Sequence, residues 1–289
     1  VLISAPATLT VNVPITFGSI SLGATICAGE PFTFSVSSGG TVNSYQGRRN
    51  GVDIPGATGT TYALSAAAVT DTGLYSCFLL GPCTPAGVTS GSSQLTVRVP
   101  TVVTLHPTSQ TICSGANVAL LASGTGQGTV TYQWRKNSQL IPGATSQSYS
   151  LPAIQTSAAG AYDCILTAAC GSTTTNVAVL AVNAQSAIIA QPQNQRVCVG
   201  SNATFSVSVT GSGVTYQWLR QGQGSLPGQT SPILTIPSIT AADFGSYWCV
   251  VTGACGSTTS NTALLQLGLA PTFAFILGSQ EISPCTGSP

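Results

Sequence analysis

The ten cysteines are the residues of this chain best suited to do chemistry, and they fall at regular places. Cys27-Ala28-Gly29, Cys113-Ser114-Gly115, Cys198-Val199-Gly200 and Cys285-Thr286-Gly287 all read Cys-x-Gly, at steps of 86, 85 and 87 residues. Each of the first three copies adds two more cysteines: Cys77 and Cys83, Cys164 and Cys170, Cys249 and Cys255. None stands at the C-x-x-C or H-x-x-x-H spacing of a metal site. Cystine formation in an oxidising compartment outside the cytoplasm is the chemistry they imply.

Other reactive groups are sparse. His106 is the only histidine and sits in a Leu105-His106-Pro107 linker, where it reads as a solvated residue. Asp53, Asp163, Glu30 and Glu281 are scattered, with no pair spaced for joint acid–base work. Calcium needs clustered oxygen ligands; Asp53 near Asn50 is the nearest approach and reads as a hairpin turn. Gly124-x-Gly126-x-Gly128 has no following helix to hold a phosphate and reads as a loop. No catalytic, cofactor-binding or metal-binding residue is expected, and the chain is not expected to be an enzyme.

A fixed period of this size marks a tandem array of one domain type. Three copies of about 85 residues fit a 289-residue chain as three small domains. Only 4% of residues are Asp, Glu, Lys or Arg, and the net charge is +1. A surface this neutral has little charge to hold neighbours apart, so self-association is expected. Seven Lys and Arg spread over the chain make no basic patch for nucleic acid or anionic lipid. With 43% hydrophobic residues in regular patterns the chain can bury cores. No 20-residue apolar run suggests a transmembrane segment, and the chain reads as a processed, exported product.

Within a copy the pattern is one of short strands. In the second, Val118–Ala122, Thr131–Arg135, Ser148–Leu151, Gly160–Thr167 and Val177–Val182 are β-rich runs separated by turn residues every 8–12 positions, which predicts an all-β sandwich. Asp71-Thr72-Gly73-Leu74-Tyr75-Ser76-Cys77 and Asp243-Phe244-Gly245-Ser246-Tyr247-Trp248-Cys249 carry D-x-G-x-Y-x-C. Trp134 and Trp218 each stand in a Tyr-Gln-Trp strand, and Ala-Cys-Gly-Ser recurs at 169–172 and 254–257. In these features the chain resembles the tandem immunoglobulin-like domains of secreted bacterial surface and adhesin-type repeat proteins.

The resemblance implies three tandem immunoglobulin-like sandwiches. Tyr75, Tyr162 and Tyr247 would form tyrosine corners at strand F, and Trp134 and Trp218 would be core residues of strand C. Copy two departs from the signature with Ala158 in place of the Asp. Copy one has Gly47 where the others have Trp, so its first sheet must pack around a missing indole, and this domain is expected to be the least regular. Strand B lacks its usual cysteine, with Phe34, Leu120 or Val207 near that position, so the usual B–F disulfide is excluded. In such a sandwich the A–B turn and the F–G hairpin lie at opposite ends, too far apart to bond within one domain. The foot of one domain faces the head of the next, which predicts Cys27–Cys170 and Cys113–Cys255 as interdomain staples. Local bridges such as Cys164–Cys170, or bonds between the first two cysteines of each copy, are the alternatives. With staples, Cys83 and Cys198 would remain as complementary ends for head-to-tail linkage.

Thr8–Pro14 nearly repeats Gln94–Pro100, the last strand of the first copy. The expected layout is a donor-like strand over 1–13, domains over 14–99, 100–183 and 184–268, and over 269–289 a strand resembling the start of a fourth repeat. Unpaired edges of this kind are templates for another chain, with Leu9, Val11, Val13, Phe273, Phe275 and Ile276 as candidate assembly residues. A single lysine, Lys136, excludes a recurring isopeptide cross-link, and Asn202-Ala203-Thr204 is a lone glycosylation sequon. The expected function is that of a non-enzymatic extracellular structural protein. It would be a subunit or segment of a filament or surface appendage, assembled with itself head to tail. The alternative is an adhesin-type module that binds cell-surface glycan or protein through loops, with Tyr45, Arg48, Arg49 and Trp248 as candidates.

Overall fold

The computed structural model describes residues 5–268. It is built of β-strands, with single turns of 3₁₀ helix at Val69–Asp71, Thr156–Ala158 and Ala241–Asp243 as its helical pieces among the described residues. The chain divides into two compact units. One holds residues 5–107, 121–148 and 163–176; the other holds 108–120, 149–162 and 177–268.

One strand pattern recurs three times. In the first copy a six-stranded sheet runs Ala24–Cys27, Ser93–Arg98, Gly73–Gly81, Ser44–Arg49, Val52–Asp53, with Thr84–Thr89 also paired to Gly73–Gly81. The first pair is parallel, Ala24 opposite Leu95, and the others are antiparallel. The same order runs from Gln110–Cys113 to Gln139–Leu140, and again from Gln195–Val197 to Gly224–Ser225. The long F-position strand alternates between core and surface, as a sheet with one covered face must. This is the immunoglobulin-like sandwich, present in three tandem copies.

The opposite sheets differ between the copies. In the first copy Phe32–Gly39 is one eight-residue strand between Thr16–Ile20 and Thr61–Leu64. In the other copies the corresponding stretch breaks into Val118–Leu121 and Ser123–Thr125, and into Ala203–Ser206 and Ser208–Thr210. The copy without the indole therefore has the more continuous sheet. Its irregularity lies in the core. In the third copy Trp218 belongs to one buried cluster with Phe205, Leu234, Tyr247 and Cys249. In the first the core splits in two, Phe34 with Tyr75 and Leu95, and Ile15 with Cys77 and Leu79. A cavity of ≈ 30 Å³ near Gly47 is lined by Phe34, Val36, Ile54, Tyr62 and Cys77. The Ala57 methyl occupies the space beside Gly47: a Cβ on Gly47 would lie 2.8 Å from it.

Residues 5–15 carry no strand pairing, and Leu9, Val11 and Val13 are 88%, 73% and 52% exposed. The expected donor-like segment thus forms no strand within the described chain. Phe273, Phe275, Ile276 and the fourth Cys-x-Gly at Cys285 lie outside the described residues.

Candidate functional site

The tyrosine and tryptophan positions set the frame on which the cysteines sit. Tyr75, Tyr162 and Tyr247 are buried, and each hydroxyl donates to a backbone oxygen four residues upstream: Asp71 at 2.8 Å, Ala158 at 2.6 Å and Asp243 at 2.7 Å. Trp134 and Trp218 are fully buried, their indole N–H groups donating to Ser146 O and Ser231 O at 2.9 Å. The strand-B position opposite Tyr247 is taken by Phe205, stacked on that ring at 5.2 Å. Val207, two residues on, points to the same core but is not the residue equivalent to Phe34, which stacks on Tyr75 at 3.9 Å.

Cys77, Cys164 and Cys249 are buried free thiols in the F-position strands. Burial pushes all three up from the ordinary thiol range, Cys164 to about 11. A thiol so raised is inert. Each is fixed by a buried hydroxyl that accepts from its backbone N–H: Ser90, Thr175 and Ser260, at 2.8, 3.0 and 2.9 Å.

The remaining cysteines lie where the sandwiches meet their neighbours in sequence. Cys27 is bonded to Cys170 within the first unit, with Cα atoms 5.6 Å apart. Cys113 is bonded to Cys255 within the second, at 5.7 Å. Both donor turns are built alike. The glycine after the cysteine holds positive φ, +93° at Gly29 and +89° at Gly115, a conformation costly for any other residue. Its N–H donates to Ala67 O at 2.8 Å or Ile154 O at 2.7 Å. The intervening residue donates to the end of the last strand, Ala28 to Arg98 O at 3.0 Å and Ser114 to Asn183 O at 2.9 Å. The receiving cysteines are each the second residue of a two-residue hairpin, closed by Ala168 opposite Gly171 and by Gly253 opposite Gly256.

Cys83 has the same place in a hairpin closed by Gly81 opposite Thr84; it is free and exposed. Cys198 is disulfide-bonded, which corrects the expectation that it would remain unpaired. The linker entering a sandwich is latched to a loop hydroxyl. Ala184 N–H donates to Ser212 Oγ at 3.0 Å, and Ser212 N–H returns to Ala184 O at 3.3 Å. Val13 and Thr41 make the same pair, at 3.1 and 2.9 Å.

Other candidates have structural partners. Asp53 pairs with Arg48 at 2.6 Å, and Arg48 lies over the Phe78 ring. Arg49 binds Asp71 at 2.9 Å. The second copy, lacking that Asp, instead has Arg135 held by both Asp163 oxygens at 2.7 Å. Asp243 accepts from the Thr240 N–H and hydroxyl, which lowers its pKa below the ordinary 3.8. His106 Nδ1 accepts from Asn176 N–H. Asn202, the sequon residue, accepts from Ser238 N–H at 3.0 Å, as Asn117 does from Ala153. Tyr45 and Trp248 are half-buried. Among the described residues no group of three or more His, Cys, Asp or Glu could hold a metal ion, and no helix is long and apolar enough to cross a membrane.

Residues missed in the sequence include Gln46, Gln133 and Gln217. Each amide donates to the next backbone carbonyl and to Ile54, Ile141 or Leu226 O, closing the C hairpin. Their recurrence after Tyr was the available signal.

Comparison with known proteins agrees with this architecture. Residues 187–252 match the immunoglobulin domain family, and residues 104–184 match a domain of unknown function (DUF8696). Kin of IRRE-like protein 2 of Mus musculus is 32% identical over 157 residues, 54% of this chain and 22% of that protein. Endoglucanase C of Cellulomonas fimi is 29% identical over 188 residues, 61% of this chain and 17% of that protein. The chain spans between 10% and 22% of the length of the first curated relatives it matches. These relatives are mostly animal proteins, so they do not support a bacterial source. An I-band fragment from titin superposes with a TM-score of 0.68 at 17% identity, covering 88% of this chain and 99% of the fragment.

Proposed function

We propose that the chain is a non-enzymatic, extracellular structural protein, a segment or subunit of a filament or surface appendage that associates with further copies head to tail. The cystine at each of the two junctions between successive sandwiches carries this reading. A connection of three residues, 99–101 or 184–186, separates the last strand of one sandwich from the first strand of the next. A cystine in parallel with so short a connection makes each junction a two-point attachment, suited to transmitting tension. The unpaired segment with exposed Leu9, Val11 and Val13 would add as an apolar strand to a sheet edge of a second copy. Covalent and apolar contacts, unlike ion pairs, are weakly screened by salt.

Sedimentation and negative-stain microscopy of the chain test the proposal. Associated, elongated species should persist from low salt to about 1 M and loosen with reductant. Monodisperse single chains under all of these conditions would refute it.

A further inference from the structure

We propose that a cleft in the first sandwich, beside the hairpin of Ser44–Arg49 and Val52–Asp53, binds one sugar residue of an uncharged glycan. The site stands apart from the head-to-tail association above and does not depend on it.

The cleft has a volume of ≈ 440 Å³, within the range of about 300–1,000 Å³ typical of small-molecule sites. Part of its lining is apolar, from Val52, Ile54 and Tyr62. The Tyr62 ring is held by stacking on buried Tyr75, with centroids 6.3 Å apart. The rest is polar, and its charges are already matched. Arg49 Nη1 lies 2.9 Å from Asp71 Oδ1, and Asp53 Oδ1 lies 2.6 Å from Arg48 Nε. An ionic ligand meets no unpaired charge here.

Hydrogen-bonding capacity is nonetheless left over. Asn50 Oδ1 accepts from Leu74 N–H at 2.9 Å, which fixes the amide, and Nδ2 has no acceptor among the described residues. The Asp53 side chain is 60% exposed, and among the described residues it bonds through Oδ1 alone. The cleft thus offers an amide donor, a carboxylate acceptor and an aromatic ring. A sugar matches all three, with hydroxyls that both donate and accept and a C–H face to lie on the ring.

The third sandwich has the same corner without these groups. Its cleft, ≈ 300 Å³, has Arg220, Asp243 and Tyr247 where the first has Arg49, Asp71 and Tyr75. Strand register puts Gly224 at the place of Val52, Ser225 at that of Asp53, and Leu234 at that of Tyr62. Gln221 follows Arg220 as Asn50 follows Arg49, its N–H donating likewise to the F-position strand. The Arg, Asp and Tyr common to both copies belong to the fold. The carboxylate at Asp53, the short amide at Asn50 and the ring of Tyr62 are particular to the first.

The test is saturation-transfer and titration NMR of the 289-residue chain with the methyl glycosides of glucose, galactose, mannose and N-acetylglucosamine, and with those of glucuronic acid and glucosamine as charged counterparts. At least one neutral glycoside should bind in the millimolar range, with saturation strongest at its ring C–H protons. Tyr62→Leu, which installs the residue of the third sandwich, and Asp53→Ser should each weaken that binding by about fivefold or more, with circular dichroism unchanged. Gln223→Ala, in the cleft of the third sandwich, should leave it as it is. Silence of all four neutral glycosides, tighter binding of a charged one, or neutral binding that survives either first-sandwich variant in folded form would overturn the inference. Sedimentation of the same samples reads the structural role separately: silent glycosides with associated, elongated species would sink this site and leave that role standing.

Discussion

Replacing Trp218 with Ala should convert the third sandwich into the kind of core that the first already has. Trp218 is fully buried and joins Phe205, Leu234, Tyr247 and Cys249 in one cluster. A tryptophan buries about 150–250 Å², which at about 25 cal/mol per Å² amounts to about 4–6 kcal/mol. Core Trp→Ala changes cost about 3–5 kcal/mol. The lost indole N–H also leaves Ser231 O without its 2.9 Å donor; that carbonyl can turn toward water, so its share is small. A loss of about 4–5 kcal/mol is expected for this sandwich alone, a large fraction of the about 5–15 kcal/mol that holds such a domain. Calorimetry should show one transition falling by more than about 15 °C while the others hold, with Trp248 fluorescence following the shifted transition. A loss below about 1.5 kcal/mol would refute the claim that the indole unites the core.

Three further outcomes follow from the same geometry. Gly47→Ala should destabilise the first sandwich by about 1–3 kcal/mol, because its Cβ would meet the Ala57 methyl at 2.8 Å; adding Ala57→Gly should restore most of that in urea unfolding. Asp243 has a folded pKa below the ordinary 3.8, chiefly because Thr240 N–H donates to it. Its stabilisation is therefore present above pH 3.8 and lost as pH falls through the lower folded value. Acid titration of the melting temperature should show this for the third sandwich and not for Asp243→Asn. Of Cys77, Cys83, Cys164 and Cys249, iodoacetamide at pH 8 should label only Cys83 in the native chain; labelling of Cys164, whose thiol is pushed up to about 11, would contradict the burial described here.

Much of the frame was legible in the sequence because it rests on residue types with few alternatives. A tyrosine two residues before a strand cysteine, and a tryptophan after Tyr-Gln, each have one place in this sandwich, and Tyr75, Tyr247, Trp134 and Trp218 take those places. The spacing of the Cys-x-Gly turns gave the repeat, and the opposite ends of the sandwich left few partners for Cys27 and Cys113. Other features had no distinctive residue to mark them. Val207 was read for Phe205 because positions two apart on a strand face the same side. The latch at Val13 and Thr41 uses backbone groups and one small hydroxyl, which many loops could supply. The continuity of Phe32–Gly39, against the breaks at Ala122 and Val207, depends on how the facing strand is held, which local pattern does not encode.

The most direct measurement of the central claim is disulfide mapping of the native, unreduced chain by proteolysis and mass spectrometry. The account requires peptides joining Cys27 to Cys170 and Cys113 to Cys255, with Cys77, Cys164 and Cys249 recovered as thiols. A bond from Cys164 to Cys170, or from Cys27 to Cys77, would contradict it, because the sandwiches would then be closed on themselves and not fastened to one another.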